Sequence, residues 1–357
     1  MKIKKSEDPR IKSFDPNNFG FGNTFIDHMV ICRYENGAWG EPELMPYGPL
    51  GFTPAMMGVN YGQACFEGMK AYKDAQGEVF LFRPEKNFAR MNKSAKRLAI
   101  PELPESVFMN GLKALIDMDR DWIPNGKDTS LYIRPVLFAT EEALKARIAN
   151  QYMFAIVATP AKSYYNEPVS VKIADYYSRA ASGGVGSAKA AGNYAASFYP
   201  TKLANEEGYE QIIWTDDATH EYFEESGTMN VFVRINDTIF TPPTSDKILD
   251  GVTRDSFIQL AKNNSIEVKV EPVSVKAVVE AHRQGTLKEV WGVGTAVVLS
   301  VFQALGYKDE KLQLPQLSDE ESFAVKLKNQ LVGIQTNQLE DPFGWRQKVE
   351  KGFVDTL

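Results

Sequence analysis

Cysteine and histidine are scarce: the 357 residues hold two of the first, Cys32 and Cys65, and three of the second, His28, His220 and His282. No CxxC pair occurs and the histidines are scattered, which excludes a disulfide scaffold, a zinc cluster and an HExxH helix. Metal ligands are therefore not expected. Apolar runs of the ~20 residues that a membrane-spanning helix requires are missing. Residues 1–10 are polar and charged rather than a signal segment. Long blocks of one charge are missing too. The 40 basic and 46 acidic residues are interspersed and leave a net charge of −6, so neither nucleic acid nor a membrane surface is an expected partner. These absences together predict a cytoplasmic, metal-independent protein.

What is present describes a globular chain, 43% hydrophobic and 24% charged. Its length exceeds that of one ordinary core, so two domains are expected. Residues 24–34 read as a strand, followed by Asn36-Gly37, a pair that hairpin turns favour. Residues 69–73 and 79–82 read as a second hairpin. After Pro84 the period changes: Phe88, Met91, Ala95 and Leu98 recur at helical spacing, and Phe108, Leu112, Leu115 and Ile116 mark another helix. Strands are expected at 131–137 and 152–159. Residues 163–168 break the pattern and form the expected interdomain loop. Beyond them, strands at 169–174, 211–215, 230–234, 267–272 and 288–291 alternate with helices near 198–207, 253–262 and 275–284. The expectation is an α/β chain of α+β type: a smaller α/β domain at 1–162 and a larger one at 169–357, which carries Lys189.

Lys189 lies in a run of small residues, Ser187-Ala188-Lys189-Ala190-Ala191-Gly192, with Tyr194 five positions on. Such a lysine can add to a carbonyl and form a Schiff base, although taken alone it reads first as an exposed lysine on an alanine-rich helix. Glu225, before the turn at Gly227, is an acid able to hold a proton on a heteroaromatic nitrogen, or an ordinary acidic turn. Gly251-Val252-Thr253 opens a helix, where backbone N–H groups favour an anion or a plain cap. Gly292-Val293-Gly294-Thr295 offers a second amide-rich turn, and Arg90 follows Pro84 on its helix. As a set, these groups are what pyridoxal phosphate requires: a lysine for its aldehyde, an acid for its ring nitrogen, a hydroxyl near its phenolic oxygen and a phosphate cup.

Tyr61-Gly62-Gln63-Ala64-Cys65-Phe66-Glu67-Gly68-Met69-Lys70-Ala71, Phe82-Arg83-Pro84, Leu131-Tyr132-Ile133-Arg134-Pro135, the stretch 189–194, residues 225–230, Gly251-Val252-Thr253-Arg254 and Gly294-Thr295-Ala296 occur in this order along the chain. With them the chain resembles the branched-chain-amino-acid aminotransferases, from about residue 20 to 345, and is most similar to the larger, eukaryotic-like subgroup. The resemblance implies the D-amino-acid-aminotransferase-like fold (fold type IV) and pyridoxal 5'-phosphate. It implies ping-pong transfer of an amino group between leucine, isoleucine or valine and 2-oxoglutarate. It further implies a homodimer with shared active sites.

By resemblance, Lys189 is the catalytic lysine that bonds the cofactor and shuttles a proton. Tyr194 bonds the phenolic oxygen and Glu225 the ring nitrogen. Arg90, Val252, Thr253 and Thr295 form the phosphate cup. Tyr132, Arg134, Thr295 and Ala296 surround the substrate carboxylate, Tyr61 and Phe66 wall the side-chain pocket, and Tyr164 covers the substrate. Departures are Asn60, where relatives often have histidine, and Ser226, where many have valine. A redox-sensitive cysteine pair of the mammalian members falls on Val297 and Ser300, so no thiol switch is expected. The alternatives within the fold are a D-amino-acid aminotransferase or an aminodeoxychorismate lyase, which diverge at the 61–68 and 132–135 motifs. A non-catalytic cofactor-binding regulator should lack Lys189 or Glu225.

Overall fold

The computed structural model describes residues 1–15, 18–126, 128–162 and 167–357. By their contacts the residues group into two compact units. One is Met1–Tyr164 with Ala188–Ala191 and Gly333–Leu357; the other is Tyr165–Ser187 with Gly192–Val332. This grouping differs in two places from a single cut at 163–168. Ala190 bridges to Cys65 in antiparallel fashion, which carries Lys189 into the first unit. Strand Arg346–Lys348 pairs with Val79–Phe82, which carries the C-terminal segment there too.

The first unit is built on a ten-stranded sheet. Its backbone is the pairing of Ser130–Ala139 with Tyr152–Ala161, in register along the length of both strands. Tyr152–Ala161 is flanked by His28–Glu35, and Ser130–Ala139 by Met69–Lys73 and the short strand Ala64–Phe66. The expected turn at Asn36-Gly37 is formed, with φ of 53° and 81°, the left-handed pair that a two-residue hairpin loop demands. Helices Pro84–Arg97 and Glu105–Met118 match the spacing of their apolar residues. Glu105–Met118 buries Val107, Phe108, Leu112, Leu115 and Ile116. Gly111 lets it approach the sheet, since a Cβ there would lie 3.1 Å from Val30 Cγ1. Phe108, Leu112, Val30, Phe154 and Trp122 share one apolar core.

The second unit closes on itself. Strand Met229–Ile235 pairs with Leu287–Val293, and the ladder runs on through Ser300–Tyr307, Val169–Ile173 and Gln211–Thr215 to Tyr222–Ser226. That strand pairs back to Met229–Ile235, making a small barrel. A ring of strands has no free edge among its members. Val171, Ile213, Phe223, Val231, Val233, Val290, Phe302 and Leu305 belong to one apolar cluster. The helix expected near 198–207 begins earlier, at Ala191, and includes Tyr194 and an internal Pro200. Helices Val252–Asn263 and Val275–Arg283 lie where helical periodicity placed them.

Candidate active site

In the first unit Lys189 is fixed by its backbone. Its N–H donates to Ser94 Oγ at 2.9 Å, and its carbonyl accepts from the Phe66 N–H at 3.1 Å. Ala188 and Ala190, the residues on either side of the lysine, are each 3% exposed and so are packed rather than solvated. The Lys189 ammonium lies 4.8 Å from the centroid of the Phe66 ring, and the Arg134 guanidinium lies 4.4 Å from the same centroid. Arg134 also donates to Tyr132 Oη at 3.1 Å, while its buried Nε has no hydrogen-bond partner among the described residues. Amine and guanidinium are therefore gathered round one apolar ring, with the phenol bonded to the guanidinium. Gly68 is required here, because a Cβ would lie 2.3 Å from Tyr132 Oη. Tyr61 ends the short helix Met57–Tyr61 and is half-exposed.

Helix Pro84–Arg97 contributes Asn87, Arg90 and Ser94, spaced so that they recur on one face. Arg90 is bonded by Glu67 through Nε to Oε1 and Nη2 to Oε2, both at 2.7 Å. Glu67 is fully buried and also accepts from Asn87 Nδ2 at 2.8 Å and the Gly68 N–H at 3.2 Å. The carboxylate occupies one edge of a guanidinium that has two. Cys65, between these groups, is inert: burial, then the charge of Glu67, pushes its thiol up to about 12.

In the second unit Glu225 sits on strand Tyr222–Ser226, just before the turn at Gly227, whose φ is 55°. The carboxylate is buried. Its Oε1 accepts from the Leu249 N–H at 2.7 Å and Asn230 Nδ2 at 3.5 Å, and its Oε2 lies 3.3 Å from Arg179 Nη2. Gly251 is the N-cap of helix Val252–Asn263 and has no side chain to cap the first amides. A Cβ at 251 would stand 2.0 Å from Asn230 Oδ1, so glycine alone allows the helix start to approach the Glu225 hairpin. Val252 and Thr253 are the first residues of that helix. Thr295 and Ala296 lie in the loop 294–299, which is tightened by the Gly294 N–H donating to the Val297 carbonyl at 3.0 Å. Tyr194 is in the first turn of helix Ala191–Glu206, and its neighbour Asn193 donates to the Val185 carbonyl at 2.9 Å. Tyr164 and most of the loop 163–168 lie outside the described residues.

Around Glu225 runs a second set of charges. Lys247 Nζ bonds Glu224 at 2.8 Å and Asp217 at 3.0 Å; burial opposes its charge, but these two partners raise it on balance. Burial pushes Glu224 up, against the pull of Lys247.

The structure thus brings Lys189, Phe66, Tyr132 and Arg134 together in one unit, and Glu225 with the helix start at Val252 in the other. Three participants escaped the sequence reading as site residues: Ser94, Glu67 and Arg179. Glu67 stands inside a recognisable motif, and Arg179 is the single cation between Lys172 and Lys189, just ahead of the glycine run. Ser94 carries no local signal.

Residues 64–304 match the amino-transferase class IV family model. A probable branched-chain-amino-acid aminotransferase of Staphylococcus epidermidis (strain ATCC 12228) is 43% identical over 98% of this chain and 99% of its own. Branched-chain-amino-acid aminotransferase 2 of Bacillus subtilis is 42% identical, over 94% of this chain and 93% of its own. In fold, the chain is similar to the Thermoproteus uzoniensis branched-chain aminotransferase solved with norvaline. That match has a TM-score of 0.73 at 23% identity and covers 90% of this chain and all of the other. The Thermobaculum terrenum enzyme, solved in its PLP form, gives 0.74 at 18% identity, covering 90% and 98%. The chain belongs to the class IV amino-transferases, and within them to the branched-chain-amino-acid aminotransferase family.

Proposed function

We infer that this chain is a branched-chain-amino-acid transaminase, exchanging an amino group between leucine, isoleucine or valine and 2-oxoglutarate. The observation that carries this reading is the sharing of the Phe66 ring by the Lys189 amine and the Arg134 guanidinium. An α-amino acid needs a cation for its carboxylate, a base for its Cα proton and apolar surface for its side chain, and these three stand side by side. An apolar wall separates branched side chains by only about 1–3 kcal/mol per methylene, so all three amino acids are accepted.

Pyridoxal phosphate fits the residues present. A buried carboxylate at Glu225, held by fixed donors, suits a cationic ring nitrogen. Arg179 Nε is buried with no hydrogen-bond partner among the described residues, a donor suited to an acceptor on a ligand. The uncapped helix start at Gly251 suits a phosphate. When bound, the cofactor supplies an aldehyde for amines and an electron sink for the charge left at Cα. We assign Lys189 to carry the aldehyde and move the Cα proton. Tyr194 hydrogen-bonds the phenolic oxygen, and Glu225 keeps the ring nitrogen protonated. Arg90, the amides of Val252 and Thr253, and Thr295 hold the phosphate. Tyr132, Arg134, Thr295 and Ala296 orient the substrate carboxylate, while Tyr61, Phe66 and Tyr164 enclose its side chain and exclude water.

We further propose a cytoplasmic homodimer with shared active sites. The exposed Leu144 and Ile148, at 74% and 60%, lie in the segment between strands Ser130–Ala139 and Tyr152–Ala161 and support a partner-covered surface. Light scattering giving only the 40.0 kDa monomer would remove that proposal. The function itself is tested by assaying L-leucine with 2-oxoglutarate against D-alanine. Turnover of D-alanine alone would overturn it.

A further inference from the structure

We propose that Arg179 is a positioning residue for the Glu225 carboxylate and ties it to the chain that leads into Lys189. This rests on the assignment of Glu225 to the cofactor's ring nitrogen. Arg179 is deeply buried: its side chain is 8% exposed and that of Glu225 5%, and 3.3 Å separates them. The same Nη2 donates to the Gly186 carbonyl at 3.3 Å and to the Lys247 carbonyl. One guanidinium therefore joins the Glu225 strand, the 246–249 segment and the glycine run. The segment 246–249 repeats this connection: the Asp246 carbonyl accepts from the Ser187 N–H at 2.8 Å, and the Leu249 N–H donates to Glu225. The packing leaves no slack, because a Cβ on Gly186 would lie 2.5 Å from Ala180 Cβ and 2.6 Å from the Lys247 carbonyl.

A buried carboxylate without a paired cation is costly, and its neutral form is then favoured. A neutral Glu225 accepts a ring-nitrogen proton poorly. Arg179 offsets that cost at the acid while anchoring the glycine run at Gly186. The other charges facing this corner are already committed or more remote. Lys247 is bonded to Glu224 and Asp217. Arg254, on helix Val252–Asn263, donates to the Pro242 carbonyl and feels Asp250, Asp255 and Glu225. Lysine is an incomplete replacement for Arg179, since its ammonium is more strongly hydrated than a guanidinium and costs more to bring into this buried corner.

The test uses the holoenzyme, with Arg179→Met and Arg179→Lys beside the parent. Three readouts are followed: the pH titration of the bound cofactor's visible absorption, the apoprotein's affinity for pyridoxal phosphate, and kcat and KM for leucine. In Arg179→Met the absorption titration is expected to move by about one pH unit. Its kcat should fall about 10- to 100-fold with KM within about threefold, and cofactor affinity should weaken. Arg179→Lys restores part of kcat and of the titration. If Arg179→Met does not fold, Arg179→Lys and Arg179→Gln are compared by the same measures. A folded variant whose titration matches the parent's overturns the proposal, even if its activity is lower, because a mere strut would behave so. Failure of the underlying function looks different. The parent itself would then show no visible absorption with pyridoxal phosphate and no turnover that depends on Lys189.

Discussion

Around Phe66, in the first unit, an amine and a guanidinium rest against one aromatic ring, and the Lys189 backbone is held by Ser94. Around Glu225, in the strand ring, the arrangement is the reverse. Both carboxylate oxygens face donors, and a Cβ is excluded from the adjoining helix start. The contrast suits the two different tasks proposed for these groups. Groups that meet several substrates need a tolerant apolar surface, whereas a group that holds one proton on one atom gains from a fixed, dry setting.

The contrast can be broken most severely at Lys189. Lys189→Ala is expected to remove the visible absorption of bound cofactor and to lower turnover by at least about a thousandfold. Absorption and rate close to the parent's would end the assignment. Next comes the locked side: Glu225→Gln should retain cofactor while kcat falls about a hundredfold, and stopped-flow measurement of Cα deprotonation checks it. On the tolerant side, Phe66→Ala should raise the KM for leucine by about five- to twentyfold through lost apolar and cation–π contact. If this change costs more in kcat than Glu225→Gln does, the two sides have been read the wrong way round.

A smaller effect concerns stability alone. Asp216 is partly opposed by burial, yet the amides of Tyr222, Thr219 and Glu221 and the Thr219 hydroxyl hold its carboxyl down to about 2, against 3.8 unperturbed. Its folded value is depressed, so its contribution is present above about pH 4 and is lost as pH falls toward 2. Asp216→Ala should lower stability at pH 7 by about 1–3 kcal/mol and flatten this acid loss, as urea unfolding at pH 7 and pH 3 would show. The smallest expected effect is that of peroxide. Cys32, raised by burial to about 11, and Cys65 are both buried, and positions 297 and 300 are valine and serine. Activity should therefore stay within about twofold after treatment, and a reversible loss would reveal a switch that these residues do not predict.

Local chemistry was legible in the sequence where local rules apply. Asn36-Gly37 announced its turn, and Pro84 with Phe88, Met91 and Ala95 announced its helix. The ring was not legible, because strand closure from Val169–Ile173 to Ser300–Tyr307 leaves no mark in either segment. Helix Ala191–Glu206 was expected to start later, since its first turn, Ala-Gly-Asn-Tyr, carries no apolar period. The candidate residues were visible as motifs. Their supports were not: Ser94 and Arg179 act on groups far from them in sequence, and a serine or arginine alone predicts no partner.

The strand Arg346–Lys348, which lies on Val79–Phe82, bears on how the molecule is made. The first unit needs residues from both ends of the chain, and the ring needs residues from 169 to 307. During synthesis from the N-terminus, neither can complete its sheet early. The first 160 residues must wait with their Val79–Phe82 edge unpaired until residues 346–348 have been made. Long-range closure of this kind slows folding and exposes edges meanwhile. A nascent chain halted before residue 346 should accordingly be the form most prone to aggregate.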